Sequence, residues 1–166
     1  MTGTETGEDK LCPASVHDAF SRRALGCAMG ERQDAALVSA SLQMAAATRV
    51  GTMDGVVFHS DRGPEYTSGA YNTLCGQLGV VQPVGPVGPA LDSAAAESFH
   101  STVKAGYIHR HLFATRAGAR LKTATRIADF CNTRRRHSAA DGLPLVEFER
   151  IINHKRAEAH HEARAA

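Results

Sequence analysis

Apolar positions along this chain come in short runs and stripes, separated by clusters of Gly, Pro, Asp and Ser. Residues 11–18 read as a strand, which Pro13 confines to an edge or a bulge. Residues 22–29 read as a second strand, and Ala19-Phe20-Ser21 would make the hairpin between them. Residues 33–47 carry Leu37, Ser41, Leu42, Met44 and Ala45 on one side, as a helix with one apolar face does. Val56-Val57-Phe58 is a short β-rich run stopped by the turn formers Asp61, Arg62 and Gly63.

Residues 68–78 predict the next helix, opened by Thr67 or Ser68 and closed by Gly79. A short strand at 80–84 follows, then Gly85-Pro86-Val87-Gly88-Pro89, which is a loop. Asp92 or Ser93 is a good N-cap, and Ala94-Ala95-Ala96 continues with high helix propensity. On that helix Phe99 and Val103 repeat at i, i+4 and face a core. Glu97, Ser101 and Lys104 share another face. Residues 115–133 predict a long amphipathic helix, with Ala117, Leu121, Ala124, Ala128 and Cys131 as the apolar stripe. A terminal helix is expected at 144–152. Residues 1–10 are polar and are expected to be disordered, and 153–166 read as a mobile charged tail.

Composition narrows the class. At 166 residues the chain is one domain, with 11–152 as its core. The net charge of +2 names no partner by itself. Locally the balance differs: residues 104–140 hold nine Lys/Arg and one acid, Asp129. Such a segment fits a phosphate-binding footprint as well as a solvated helix face. No apolar run spans a membrane and no signal-peptide pattern is present, so a cytoplasmic protein is expected. Cys12, Cys27, Cys75 and Cys131 are scattered without a C-x-x-C pair and read as free core thiols.

The candidate chemistry lies between residues 56 and 104. Asp61 follows a strand, at the carboxyl end where open α/β sheets place their sites. Glu97 and Lys104 sit two turns apart on one helix. Two carboxylates from separate elements suit a hard divalent cation, and a lysine beside them suits a phosphate. The same residues also read as a solvated turn Asp and helix Glu. His59-Ser60-Asp61 has the residue types of a hydrolase relay, but adjacent strand residues point to opposite faces. His109, His111, His154, His160 and His161 have no nearby Cys or acid pattern and read as surface residues.

Taken together, the motifs resemble the catalytic core of DDE-type insertion-sequence transposases, the integrase-core group. The matching residues are Asp18-x-Phe20-Ser21-Arg22-Arg23, His59-Ser60-Asp61-Arg62-Gly63, Glu65-Tyr66-Thr67-Ser68, Ala96-Glu97-Ser98-Phe99, Ser101-Thr102 and Lys104. Phe113-Ala114-Thr115-Arg116-Ala117, Asn132-x-Arg134-Arg135-Arg136-His137-Ser138 and Gly142-Leu143-Pro144 continue the match. Asp61 and Glu97 enclose 35 residues, the family's D-35-E spacing, and Lys104 stands at its basic position.

The resemblance implies an α/β fold, a ribonuclease-H-like mixed sheet flanked by helices. It implies metal-dependent DNA cleavage and transfer, with Mg²⁺ or Mn²⁺ held by Asp61 and Glu97. Lys104 would hold DNA near the cleaved end. The basic run Arg134, Arg135 and Arg136 would contact the backbone by charge. The implied partners are transposon-end and target DNA, with a second copy or a complementing transposase chain. No acid here matches the family's first catalytic Asp, which would fall at or before Met1, so the sheet is expected to lack its first central strand. The chain alone is therefore expected to be inactive. The alternatives are a non-catalytic nucleic-acid-binding remnant and a decayed transposase fragment. Further departures are Leu91 and Ser93, where the family usually has Tyr and Asn, and Cys27, where it usually has Trp.

Overall fold

The computed structural model describes residues 3–49, 53–60, 63–82 and 90–165, with backbone only for 90–95, 160 and 162–165. Strands β1 (Cys12–His17) and β2 (Ala24–Gly30) form an antiparallel hairpin. Its turn is set by Asp18, whose Oδ1 accepts from the amides of Phe20 (3.1 Å) and Ser21 (2.6 Å). This self-bonding is why Asp begins turns. Arg22 completes it at φ +62°.

Strand alternation gives the hairpin two covered faces. Ala14 and Val16 of β1, with Ala28 of β2, join Leu37, Val38, Leu42, Ala45 and Ala46 of helix α1 (Ala35–Thr48). Asp34 caps α1, accepting from the Leu37 amide at 2.9 Å. Gly26 permits the close approach: a Cβ there would lie 2.0 Å from the Ser41 carbonyl oxygen. The other face carries Ala24, Cys27 and Met29. They pack with Phe99 and Val103 of α3 (Ala90–Gly106) and with Ile127 and Cys131.

Three expectations hold with small shifts. The two strands and α1 stand within a few residues of their predicted bounds. Helix α2 (Gly69–Gln77) is capped by Ser68, whose Oγ accepts from the Tyr71 amide at 3.3 Å. Gly79 ends that segment at φ +70°.

Others do not hold. Residues 3–10 are not frayed: Thr4 pairs with Leu11, and Gly7 donates to the Phe113 carbonyl at 2.9 Å. Leu11 is fully buried, and that anchor offsets the polar composition before it. The strands expected at 56 and 80 shrink to a single parallel bridge, Val57 with Val81. Both residues are half exposed. Among the described residues the sheet has two strands, and neither β1 nor the Val56-Val57-Phe58 run gains a second ladder partner. Residues 83–84 and the 85–89 loop lie outside the described residues.

Helix α3 starts at Ala90, so Asp92 and Ser93 lie within it rather than capping it. The long helix expected at 115–133 is α4 (Arg116–Thr125) followed by a π-helical turn, Arg126–Cys131. Its buried line is Ala119, Thr123, Ile127 and Cys131, while Leu121 is 70 % exposed. Of the predicted stripe Cys131 is buried and Ala124 half-buried, while Ala117, Leu121 and Ala128 are exposed. The stripe followed the apolar residue types, whereas the packing uses a line of four-residue steps containing a threonine. Helix α5 (Leu145–Ala165) buries Leu145 and Phe148 and continues as helix through the expected tail.

Candidate nucleic-acid and metal site

Helix α3 brings two of the expected site residues onto one element. Glu97 is exposed, and Lys104 is half-buried in the last turn. Burial, and then Lys10, hold the Lys104 ammonium below the usual lysine range. Asp61 lies outside the described residues. Among the described residues no group of three or more His, Cys, Asp and Glu side chains could hold a metal ion. Glu97 supplies the hard oxygen donor such a cation takes, yet it is the only described member of the expected pair.

What seats α3 was not read from the sequence. Ser15 Oγ lies 2.9 Å from His17 Nε2 and 3.0 Å from His100 Nε2. A hydroxyl has one proton, so it donates to one ring and accepts from the other. The His17 ring meets the Phe99 ring edge-on at 4.4 Å. Burial lowers the His17 pKa to about 4, with His100 adding to the effect. Burial likewise lowers the His100 pKa to about 4, with Lys104 next. Two neutral imidazoles and one hydroxyl thus fasten α3 to β1 one turn beyond Glu97. Nothing in residue type or spacing distinguishes these histidines from surface ones.

The basic run is held from behind by Asn132. Its side chain accepts from the Ala24 amide at 3.2 Å and donates to the Ala24 carbonyl at 2.9 Å. It thereby completes the backbone bonding of β2 across 108 positions of sequence. The three arginines that follow differ. Arg134 is ion-paired with Asp129 at 3.0 Å. Arg136 is exposed. Arg135 is half-buried and lines a cavity with Thr102, Val103 and Gly106 of α3. The helix carrying Glu97 and Lys104 therefore borders the basic segment.

Cys12, Cys27, Cys75 and Cys131 are free thiols, as expected. Cys27 faces Ser15 across the hairpin, and burial pushes its thiol up to about 11. Among the described residues no helix is long and apolar enough to cross a membrane.

The sequence model of the integrase core domain matches residues 2–89, and a second integrase core domain model matches 78–144. The transposase for insertion sequence element IS904 of Lactococcus lactis subsp. lactis (strain IL1403) is 34% identical over 151 residues, covering 90% of this chain and 59% of that protein. The transposase InsF for insertion sequence IS3A of Escherichia coli (strain K12) is 33% identical over 149 residues, covering 90% of this chain and 51% of that protein. The chain thus spans between half and three-fifths of the length of these relatives.

Among solved structures, the catalytic core domain of BIV integrase superposes with a TM-score of 0.62 at 18% identity, covering 95% of each chain. A chain of the simian T-cell lymphotropic virus intasome in complex with PP2A regulatory subunit B56 gamma gives 0.61 at 17% identity, covering 78% of this chain and 46% of that one. These likenesses establish the integrase-core, ribonuclease-H-like fold. With that fold and the sequence match over more than half its length, the chain belongs to the integrase core domain family, in its DDE-type transposase and integrase group.

Proposed function

We propose that this chain is the catalytic portion of an insertion-sequence transposase, acting in the cytoplasm on transposon-end and target DNA. The observation that carries the reading is helix α3. It presents Glu97 and Lys104 seven residues apart, and its far end borders the Arg135 cavity. Family membership and the transposase relatives support it.

In this reading Asp61 and Glu97 hold Mg²⁺ or Mn²⁺. The bound ion would supply Lewis acidity at a phosphate oxygen and lower the pKa of an attacking hydroxyl. Lys104 holds the phosphate of the cleaved end as a compact point charge. Arg135 and Arg136 hold the backbone, with Arg134 joining them when it leaves Asp129. A second copy, or a longer transposase chain, completes the assembly.

The 166 residues by themselves bind DNA without joining it, because Asp61 and Glu97 are two of the three carboxylates in the family pattern. The experiment is a labelled-duplex assay in Mn²⁺ that reads binding and cleavage together. Salt-dependent binding with no cleavage is expected. Cleavage that vanishes in Asp61→Ala would overturn the inactivity of the isolated polypeptide. Absence of any DNA binding would overturn the nucleic-acid reading.

A further inference from the structure

The π-helical turn places Arg126, which is not among the expected site residues, beside Arg135, which is. A π-helix is wider than an α-helix, and such turns are frequent at functional sites. Residues four apart on this turn meet, and the Arg126 guanidinium lies over the Phe130 ring, 3.5 Å from its centroid. The Tyr107 ring is 5.3 Å from the same guanidinium, and its neighbour His111 is 4.2 Å away. These contacts set the guanidinium against two aromatic rings, and a guanidinium stacked on a ring face keeps its in-plane N–H donors for an anion.

Arg126 lines a cavity of about 200 Å³ together with Thr102, Tyr107, Phe130, Cys131 and Arg135. Neither Arg126 nor Arg135 has an acidic partner among the described residues. The one acid nearby in sequence, Asp129, is paired with Arg134. Both guanidiniums act on the same buried thiol: burial pushes the Cys131 pKa up, and Arg126 and Arg135 pull it back. Two half-buried cations lining one cavity, with no acidic partner among the described residues, call for an anion.

The cavity also limits what that anion is. It is smaller than the roughly 300 Å³ at which small-molecule pockets begin. Arg126 already covers Phe130, so a nucleobase has no open ring there to stack on. That size suits a single tetrahedral anion, for which Arg126, Arg135 and Thr102 are the lining residues that carry donors. We propose that Arg126 and Arg135 form a phosphate clamp, preset by Phe130 and Tyr107, that grips one phosphodiester of a bound strand away from Glu97. That the phosphodiester is one of DNA rests on the function proposed above.

The test uses the full chain and two probes. The first is the dinucleotide d(TpT), followed by NMR at the arginine Nε–H resonances. The expected result is a saturable shift at Arg126 and Arg135, with ~10-fold weaker binding in Arg126→Gln and in Arg135→Gln. Arg126→Lys keeps the charge but loses the fork, and it should bind closer to Arg126→Gln than to wild type. The second probe is a labelled duplex titrated over a range of salt. Each Gln variant should weaken it ~10-fold and reduce the salt slope by about one. Lys155→Gln, which removes one charge from α5, should do neither.

No shift at either arginine with d(TpT) overturns the clamp, even if the duplex binds. A shift without duplex binding leaves the clamp and removes DNA as its ligand. If Arg126→Gln does not fold, Arg126→Lys and Arg135→Gln decide the matter: wild-type affinity in both overturns the proposal.

Discussion

The two faces of the β1–β2 hairpin are built from different chemistry. On the α1 side, Ala14, Val16 and Ala28 meet Leu42, Ala45 and Ala46, and Gly26 lets the helix backbone close on the strand. On the α3 side, Ser15, His17 and His100 share hydrogen bonds, and Asn132 bonds the backbone of β2. The α1 side rests mainly on apolar contact, with a directional bond from the Thr48 hydroxyl to the Leu25 carbonyl at 2.8 Å. The polar face supplies direction, because a hydrogen bond holds only in one geometry, while each buried polar group is costly if left unpaired. The directional face carries the helix with Glu97 and Lys104 and the turn with the arginines.

The largest effect separating the two faces should come from Leu42, which is fully buried. Leu42→Ala should lower the unfolding free energy by about 2–5 kcal/mol, read by urea denaturation. DNA affinity measured below the new unfolding midpoint should stay within a factor of two. Asn132→Ala should cost less, about 2 kcal/mol, because it strands the Ala24 amide and carbonyl. It should nevertheless weaken DNA binding several-fold, by loosening the segment that carries Arg135. A reversed pattern, with Leu42→Ala hurting binding more, would erase the distinction between the faces.

These two residues also mark what was legible in the sequence. The turn at Asp18, the cap at Ser68 and the stop at Gly79 are set by neighbours within a few residues, so residue type and order announce them. The family motifs placed Glu97 and Lys104 on one helix for the same reason. Asn132 bonds Ala24 across 108 positions, and Ser15 meets His100 across 85. No local pattern encodes such pairs. The π-helical turn was equally hidden, since residues 115–133 satisfy an α-helical pattern and no residue type there marks the wider turn. The strand expected at 56–58 illustrates the opposite error. Its residues favour β structure, yet a strand exists only with ladder partners, and Val57 has one bridge.

A smaller effect concerns pH. The folded pKa values of His17 and His100 are about 4, below the ordinary histidine value of 6.5. The unfolded chain therefore takes up these protons first as pH falls. Stability on this account is complete above about pH 6.5 and declines as pH falls toward 4, by up to ~1.4 kcal/mol per pH unit for each histidine. His17→Leu should roughly halve that decline between pH 6.5 and 4.5 in urea midpoints, and should leave stability at pH 8 within about 1 kcal/mol of wild type. An unchanged pH slope would mean that the polar face does not hold its histidines neutral. The smallest effect should come from Leu121→Ser, within about 0.5 kcal/mol, because that side chain is 70 % exposed.

The account stands most directly on α3 as the helix of a metal-dependent DNA enzyme. Mn²⁺ titration calorimetry on wild type, Asp61→Ala and Glu97→Gln tests it. Binding of about one ion per chain in wild type, lost in both variants, is the predicted result. Wild-type heat that survives in both variants, or no binding in wild type, would contradict the assignment of Asp61 and Glu97.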